Sequence, residues 1–432
     1  MTVATRIRPG GVLLAPLRWL ERTRGWRRRL LIVLYLFVGM ILGVLIWRST
    51  SLNNLPDVGD PFDVEAFVLA SRVPESEDAF VLYRKAGESM KIASVTNDWS
   101  GLWKAVQGGW AKASPEVKAW VADNRAPLDL WRRGTLRRSG IAENPATIRR
   151  FDDTSLSLQL HFMGQAALLE GSRLESEGDR RGALDWYLAV ARSCHHLTIN
   201  SRIPWHDSAT SLGQQTRDRM IAWARDPKTD AASLRSAIDV IQALDAKTSP
   251  TSDMLKVEYL SLVHSLGDPA GMARASGSAG ELGLNYQAMR RWYEAYWFLR
   301  REPERGRRVV QLFFANWLAH CDKPVADRPR IVSDQATYPS MGMYKADPTA
   351  PFAARAIEPD RLFGWLDSTN VTCRFLTMYP NYVPDAIQEH QSRGVLLVTL
   401  AEQLYLRENG KESPSVQALT PKYLKTIPDG YK

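Results

Sequence analysis

The chain has 432 residues, 45% of them hydrophobic and 24% charged, with 28 Gly and 24 Pro. This composition excludes collagen, low-complexity disorder and a disulfide-dense miniprotein, and three cysteines allow one pair at most. The formal charge of +9, from 56 basic and 47 acidic residues, resembles a nucleic-acid binder's until the charges are placed along the chain.

Residues 1–29 form a basic arm with eight arginines (Arg6, Arg8, Arg18, Arg22, Arg24, Arg27, Arg28 and Arg29) against Glu21. Residues 30–47 then read LLIVLYLFVGMILGVLIW, without a charge. As a helix this run spans roughly 27 Å, the thickness of a bilayer core. Arg27, Arg28 and Arg29 before it, and Trp47 and Arg48 after it, are the expected membrane-interface residues. The 384 residues beyond Arg48 carry 47 basic and 46 acidic side chains. The excess charge is thus a positive-inside signal. It places the N-terminus in the cytoplasm, the helix in the cytoplasmic membrane as an uncleaved signal anchor, and the bulk of the chain on the extracytoplasmic side. The expected partner is the lipid bilayer. Nucleic acid is excluded, because the outer body has no basic surplus to neutralise phosphates. Gly39 and Gly43 form a GxxxG pair, the expected face for pairing with a second copy or another envelope protein.

Residues 48–62 hold turn-formers without helical period and read as a solvated stalk. Its Asp57 and Asp60, with Asp63 and Glu65 just beyond, miss the spacing of a calcium loop. Helical signals dominate 63–321, the expected outer domain. Ser76 is a candidate cap for a helix with Ala79, Leu82, Tyr83, Ala86 and Met90 on one face, and Ser114-Pro115-Glu116 is a stronger start. Further helices are expected near 155–177, 180–199, 205–225, 231–245 and 252–266, then a Gly/Ala/Ser-rich break at 267–283 and helices near 284–301 and 304–320. No sustained two-residue alternation marks a sheet. Gly171, Leu174, Gly178-Asp179, Ala183 and Tyr187 stand at small, bulky, turn, small and aromatic positions, and the hairpin they define resembles a tetratricopeptide repeat without a second copy.

Residues 322–384 hold eight of the 24 prolines and are expected to be mainly irregular. They include a glycosylation-type triplet at Asn370-Val371-Thr372. Residues 385–432 begin with a helix expected over 387–408, burying Val395, Val398, Leu400 and Leu404 and ending at Asn409-Gly410. Here Leu404-Tyr405, Gly410, Pro414, Leu419, Tyr423-Leu424 and Pro428-Asp429 resemble the post-helix region of type II secretion pseudopilins. With the anchor and the Gly-Asp hairpin, this ending resembles uncharacterised bacterial single-pass envelope proteins. The resemblance implies location and architecture. The expected fold is therefore all-α: an N-terminal transmembrane helix, a helical bundle or irregular solenoid, a Pro-rich irregular segment and a C-terminal helix.

Catalytic patterns are absent from the sequence: no GxSxG elbow, Walker A loop, GxGxxG, HExxH or CxxC occurs, and no cofactor is implied. Cys194-His195-His196 with His206 is the densest ligand-like group, making Cys194, His196 and His206 weak metal candidates. Neighbouring helical residues point about 100° apart, which opposes their convergence. His320-Cys321-Asp322 falls at a helix end, where such groups usually meet free carbonyls. Trp99, Trp103, Trp110, Trp120 and Trp131 suit core packing more than a binding surface. The expected function is a helical interaction or scaffolding module; the alternative is a membrane-tethered hydrolase with a site under the Pro-rich segment.

Overall fold

The computed structural model describes residues 25–50, 52, 55–92, 99–150, 152–268, 299, 301–333, 342–363 and 382–428. The triplet at Asn370, and all but the ends of the expected break at 267–283 and helix at 284–301, lie outside them. Fourteen α-helices and two short strands make the described fold all-α in character.

Helix α1 (Trp26–Thr50) has a mean hydropathy of 2.8 over its most apolar stretch, and none of it is buried within the protein. Among the described residues it is the one helix long and apolar enough to cross a membrane. It outruns the expected 30–47 at both ends. At its end, the Ser49 and Thr50 hydroxyls fold back and donate to the Ile46 carbonyl at 2.8 and 3.0 Å.

The chain beyond α1 is not the solvated stalk expected over 48–62. Leu52 and Leu55 are 4% and 1% exposed, and Val58 and Phe62 pack on the body. Arg308 donates to the Leu55 carbonyl at 2.8 Å, and the Tyr259 hydroxyl donates to the Asp60 carboxylate. The turn-formers do keep this segment from being helical. Its apolar residues, spread three or four apart between them, nevertheless find a core that local polarity does not reveal.

Helix α2 (Val64–Ala70) is capped by Asp63, whose carboxylate accepts from Ala66 N at 2.9 Å. Helix α3 (Phe80–Ser89) starts later than Ser76 implied. Its first turn is instead satisfied by Asp78, which accepts from Phe80 N at 2.9 Å and from Ile141 N at 3.0 Å. Ala79, Tyr83, Ala86 and Met90 are buried on the expected face. Helices α4 (Trp99–Gly108), α5 (Pro115–Asp123, capped by Ser114) and α6 (Arg125–Thr135) follow.

Helices α7 (Ser155–Ser176) and α8 (Arg180–Thr198) form the hairpin foreseen from the sequence. Gly178 turns the chain at φ +92°, and Asp179 accepts from Gly182 N at 2.8 Å. A side chain at Gly171 would put its Cβ 2.6 Å from the Tyr187 ring, so the close approach of the two helices requires glycine there. Helix α9 (Ile203–Arg225) packs on α8, and α10 (Ala231–Asp245) follows it.

A second core lies on α11 (Thr251–Ser265) and α12 (Glu302–Leu318), with a small antiparallel pair, β1 (Ile331–Ser333) and β2 (Gly342–Tyr344), and the short α13 (Pro359–Phe363). Val332 lies opposite Met343 in this sheet. Strands of three residues are too short for alternation to show in the sequence, and the pair is held from outside. Asn316 of α12 accepts from Tyr344 N at 2.8 Å and donates to Tyr344 O at 2.9 Å.

Helix α14 (Tyr382–Asn409) returns to the first core and packs on both α9 and α10. Gly410, at φ +69°, ends it and donates to Leu406 O at 2.9 Å. Val398, Leu400 and Leu404 are buried, but Val395 is 42% exposed. It stands nine positions before Leu404, half a turn out of phase with the buried stripe. The tail then folds back, burying Leu419, Tyr423 and Leu424, with the Tyr405 and Tyr423 rings 5.4 Å apart.

The two cores are joined by buried ion pairs. Arg202 pairs with Glu143 and donates to the carbonyls of Arg149 and Arg150 at 3.0 and 2.7 Å. Arg150 meets Glu258 at 2.5 Å, and the other oxygen of Glu258 accepts from Ile203 N at 2.7 Å. The start of α9, the loop before α7 and the middle of α11 are thereby tied together.

Candidate functional site

Along the last turns of α8, Cys194, His195 and His196 diverge. His196 faces α3, where its Nδ1 lies 2.9 Å from the Tyr83 hydroxyl. Burial holds the Tyr83 phenol well above the usual range. Burial pushes His196 down to about 3, so the imidazole stays neutral. Cys194 and His195 point the other way, into a cavity of about 680 Å³ that His206 also lines. The metal candidates are therefore split between two environments. Among the described residues no group of three His, Cys, Asp or Glu side chains is placed to hold an ion.

The cavity lies where the cores meet. Helices α8, α9, α10, α11 and α14 each contribute to its wall, as does the start of the Pro-rich segment through Pro324, Val325 and Arg328. Its apolar lining includes Met220, Ile241, Leu244, Met254 and Leu396. Its charged lining is Arg217, Arg328 and Arg393 with Asp245 and Asp322. Arg393 donates to the Thr248 hydroxyl at 2.6 Å and stands 3.4 Å from Asp245, while its Nε is buried with no hydrogen-bond partner among the described residues. His195 is pushed down to about 4, first by burial and then by the positive charges of Lys247 and Arg393. Asp322 accepts from Ser252 N at 3.0 Å and so caps the start of α11.

The His320-Cys321-Asp322 run is spread over three tasks. The His320 ring packs 5.1 Å from Tyr344, with Lys323 Nζ 3.2 Å from its Nδ1. Cys321 lines the cavity, but burial and the nearby Asp322 carboxylate push its thiol up to about 12. It therefore stays protonated at neutral pH and is not a ready nucleophile. The acidic residues near the anchor are structural too. Asp57 accepts from Gly59 N at 3.2 Å, Asp60 accepts from Tyr259, and Asp63 caps α2. Trp120 and Trp131 are fully buried and Trp103 is exposed; the Trp99 side chain lies outside the described set.

On α1, a side chain added at Gly39 or Gly43 would meet nothing, so this face is open to a partner helix. Arg27, Arg28, Arg29 and Trp47 are exposed near the helix ends, and the Arg27 guanidinium lies 5.8 Å above the Trp26 ring.

Sequence patterns missed Arg217, Asp245, Met254 and Arg393 as cavity residues. They come from four different helices, and no local spacing links them. Comparison with protein families, curated proteins and solved structures finds no match for this chain.

Proposed function

We propose that the protein is a single-pass component of a bacterial cell envelope, with its N-terminus in the cytoplasm, whose helical body serves as an interaction or scaffolding module held close to the outer face of the membrane. The supporting observation is the junction. The chain leaves α1 at Thr50 and is already buried in the body at Leu52 and Leu55, so the body is clasped to its anchor without a free stalk. Such a body presents one defined face to the bilayer and another to neighbours. The charge asymmetry of residues 1–29 supports the orientation, and the pseudopilin-like tail supports a place beside secretion or surface assembly machinery.

A membrane-tethered hydrolase is the second reading. The observation in its favour is that the cavity gathers His195, His206, Cys321 and two aspartates beneath Pro324 and Val325. Against it, a neutral thiol and a weakly basic imidazole make a poor acid–base pair at neutral pH.

Crosslinking of the full chain in cells, with identification of what is captured, separates these readings. Recovery of an envelope protein or a second copy supports the scaffold, and loss of a self-crosslink in Gly43→Leu assigns the dimer to α1. No partner, together with turnover of a cell-wall substrate by the purified full chain, supports the hydrolase. Orientation is read with a membrane-impermeant thiol reagent, which reaches Leu69→Cys and not Thr5→Cys if the N-terminus is inside.

A further inference from the structure

We propose that the cavity between the two cores binds a single-chain amphiphile with an acidic head. The head lies against Arg393 and the chain along Met220, Ile241, Met254 and Leu396. A volume of about 680 Å³ falls in the range of small-ligand sites, which combine a mostly apolar wall with a few polar groups that fix orientation. The two methionines give a wall that adapts to flexible chains.

The charge of the site selects an anion. Three arginines line it against two aspartates. Asp322 is committed to Ser252 N, and Asp245 is shared with Arg393 at 3.4 Å, longer than a tight ion pair. The Arg393 Nε is buried and has no acceptor among the described residues, a donor that an oxyanion would satisfy. Thr248, bonded to the same guanidinium at 2.6 Å, supplies a hydroxyl beside it. His195 lines the same cavity, and its basicity is lowered first by burial and then by the positive charges of Lys247 and Arg393. A cationic or zwitterionic head would meet the opposite penalty. Because the junction at Leu52 holds the body next to α1, amphiphiles leaving the bilayer are the nearest supply. A fatty acid and a lysophospholipid share the required chemistry.

The test uses the full chain in phosphatidylcholine nanodiscs and a hexadecanoic acid carrying a diazirine in its chain, with labelled peptides located by mass spectrometry. Labelling is expected within 191–220 and 241–254. It should be competed by hexadecanoate or by lysophosphatidylglycerol, whichever competes better naming the source, and not by hexadecyltrimethylammonium. Arg393→Gln should lower labelling about tenfold, the effect of losing one charge-assisted contact. Met254→Trp, which fills the chain side, should lower it as well, with circular dichroism confirming that each variant is folded. Equal competition by the cationic amphiphile on the unsubstituted chain, or labelling confined to α1, would overturn the proposal whatever the variants do.

Discussion

The first core is built mainly from helices that follow one another, α3 to α10, with α14 and the tail returning to it, whereas the second gathers Leu55, Ile148, Ile203, Tyr259, Phe313 and Tyr344 from segments far apart in the chain. In the α7–α8 hairpin, burial needs only one tight turn, and the residues that meet are a few turns apart. In the second core the contacts that join one segment to the next mostly close long loops, so ordering one segment gains little until the others are in place. The two regions therefore respond differently to substitution. A local core is damaged where it is touched, while a dispersed core fails through its connections.

The largest expected effect breaks that distinction by cutting the connection between the cores. Glu258→Leu removes the carboxylate that accepts from both the Arg150 guanidinium and the buried Ile203 N. It should cost about 3–5 kcal/mol, the range for removing one partner of a buried pair. Urea unfolding of the full chain measures it. Loss of a single joint transition in favour of two would show that the ion pairs make the cores cooperate.

Within the first core, Gly171→Ala drives a Cβ against Tyr187 and should destabilise by about 1–3 kcal/mol, as overpacking does. The same scan shows whether the second core keeps its own midpoint.

The buried His196 makes the first core sensitive to acid. Its pKa is depressed in the folded state to about 3 from an ordinary 6.5, so the unfolded chain binds the extra proton between those values. Its contribution is complete above 6.5 and falls by roughly 1.4 kcal/mol per pH unit below it. His196→Asn should remove its share of that slope and leave the share of His195 in unfolding midpoints measured from pH 7 to 5. An unchanged slope would place the acid sensitivity elsewhere.

The smallest effect sharpens the view of the junction. Tyr259→Phe removes the bond to Asp60 and should cost about 1 kcal/mol. Limited proteolysis should then cut within 52–62 sooner than elsewhere. Faster cutting in α7–α8 instead would contradict the assignment of the junction to the second core.

The legible parts of the fold are those whose cause lies within a turn or two of chain. Asp179, Gly178 and Gly171 announce the hairpin, Ser114-Pro115 announces α5, and Asn409-Gly410 announces the end of α14. Val395 was misplaced because a stripe drawn through hydrophobic residues ignored its phase relative to Leu404. The cavity was illegible because Cys194, Arg217, Asp245, Met254 and Arg393 are brought together only by packing.

The apolar run, its arginine flanks and the helix ends at Ser114, Asp179 and Asn409-Gly410 follow from the amino-acid order alone, because hydropathy and helix capping depend on neighbouring residues. The clasp of 52–62 onto the body, the Arg202 and Glu258 pairs, the return of α14 to α9 and α10, and the cavity depend on which distant surfaces can bury together. Those choices come from packing and long-range loop closure, and no local pattern carries them.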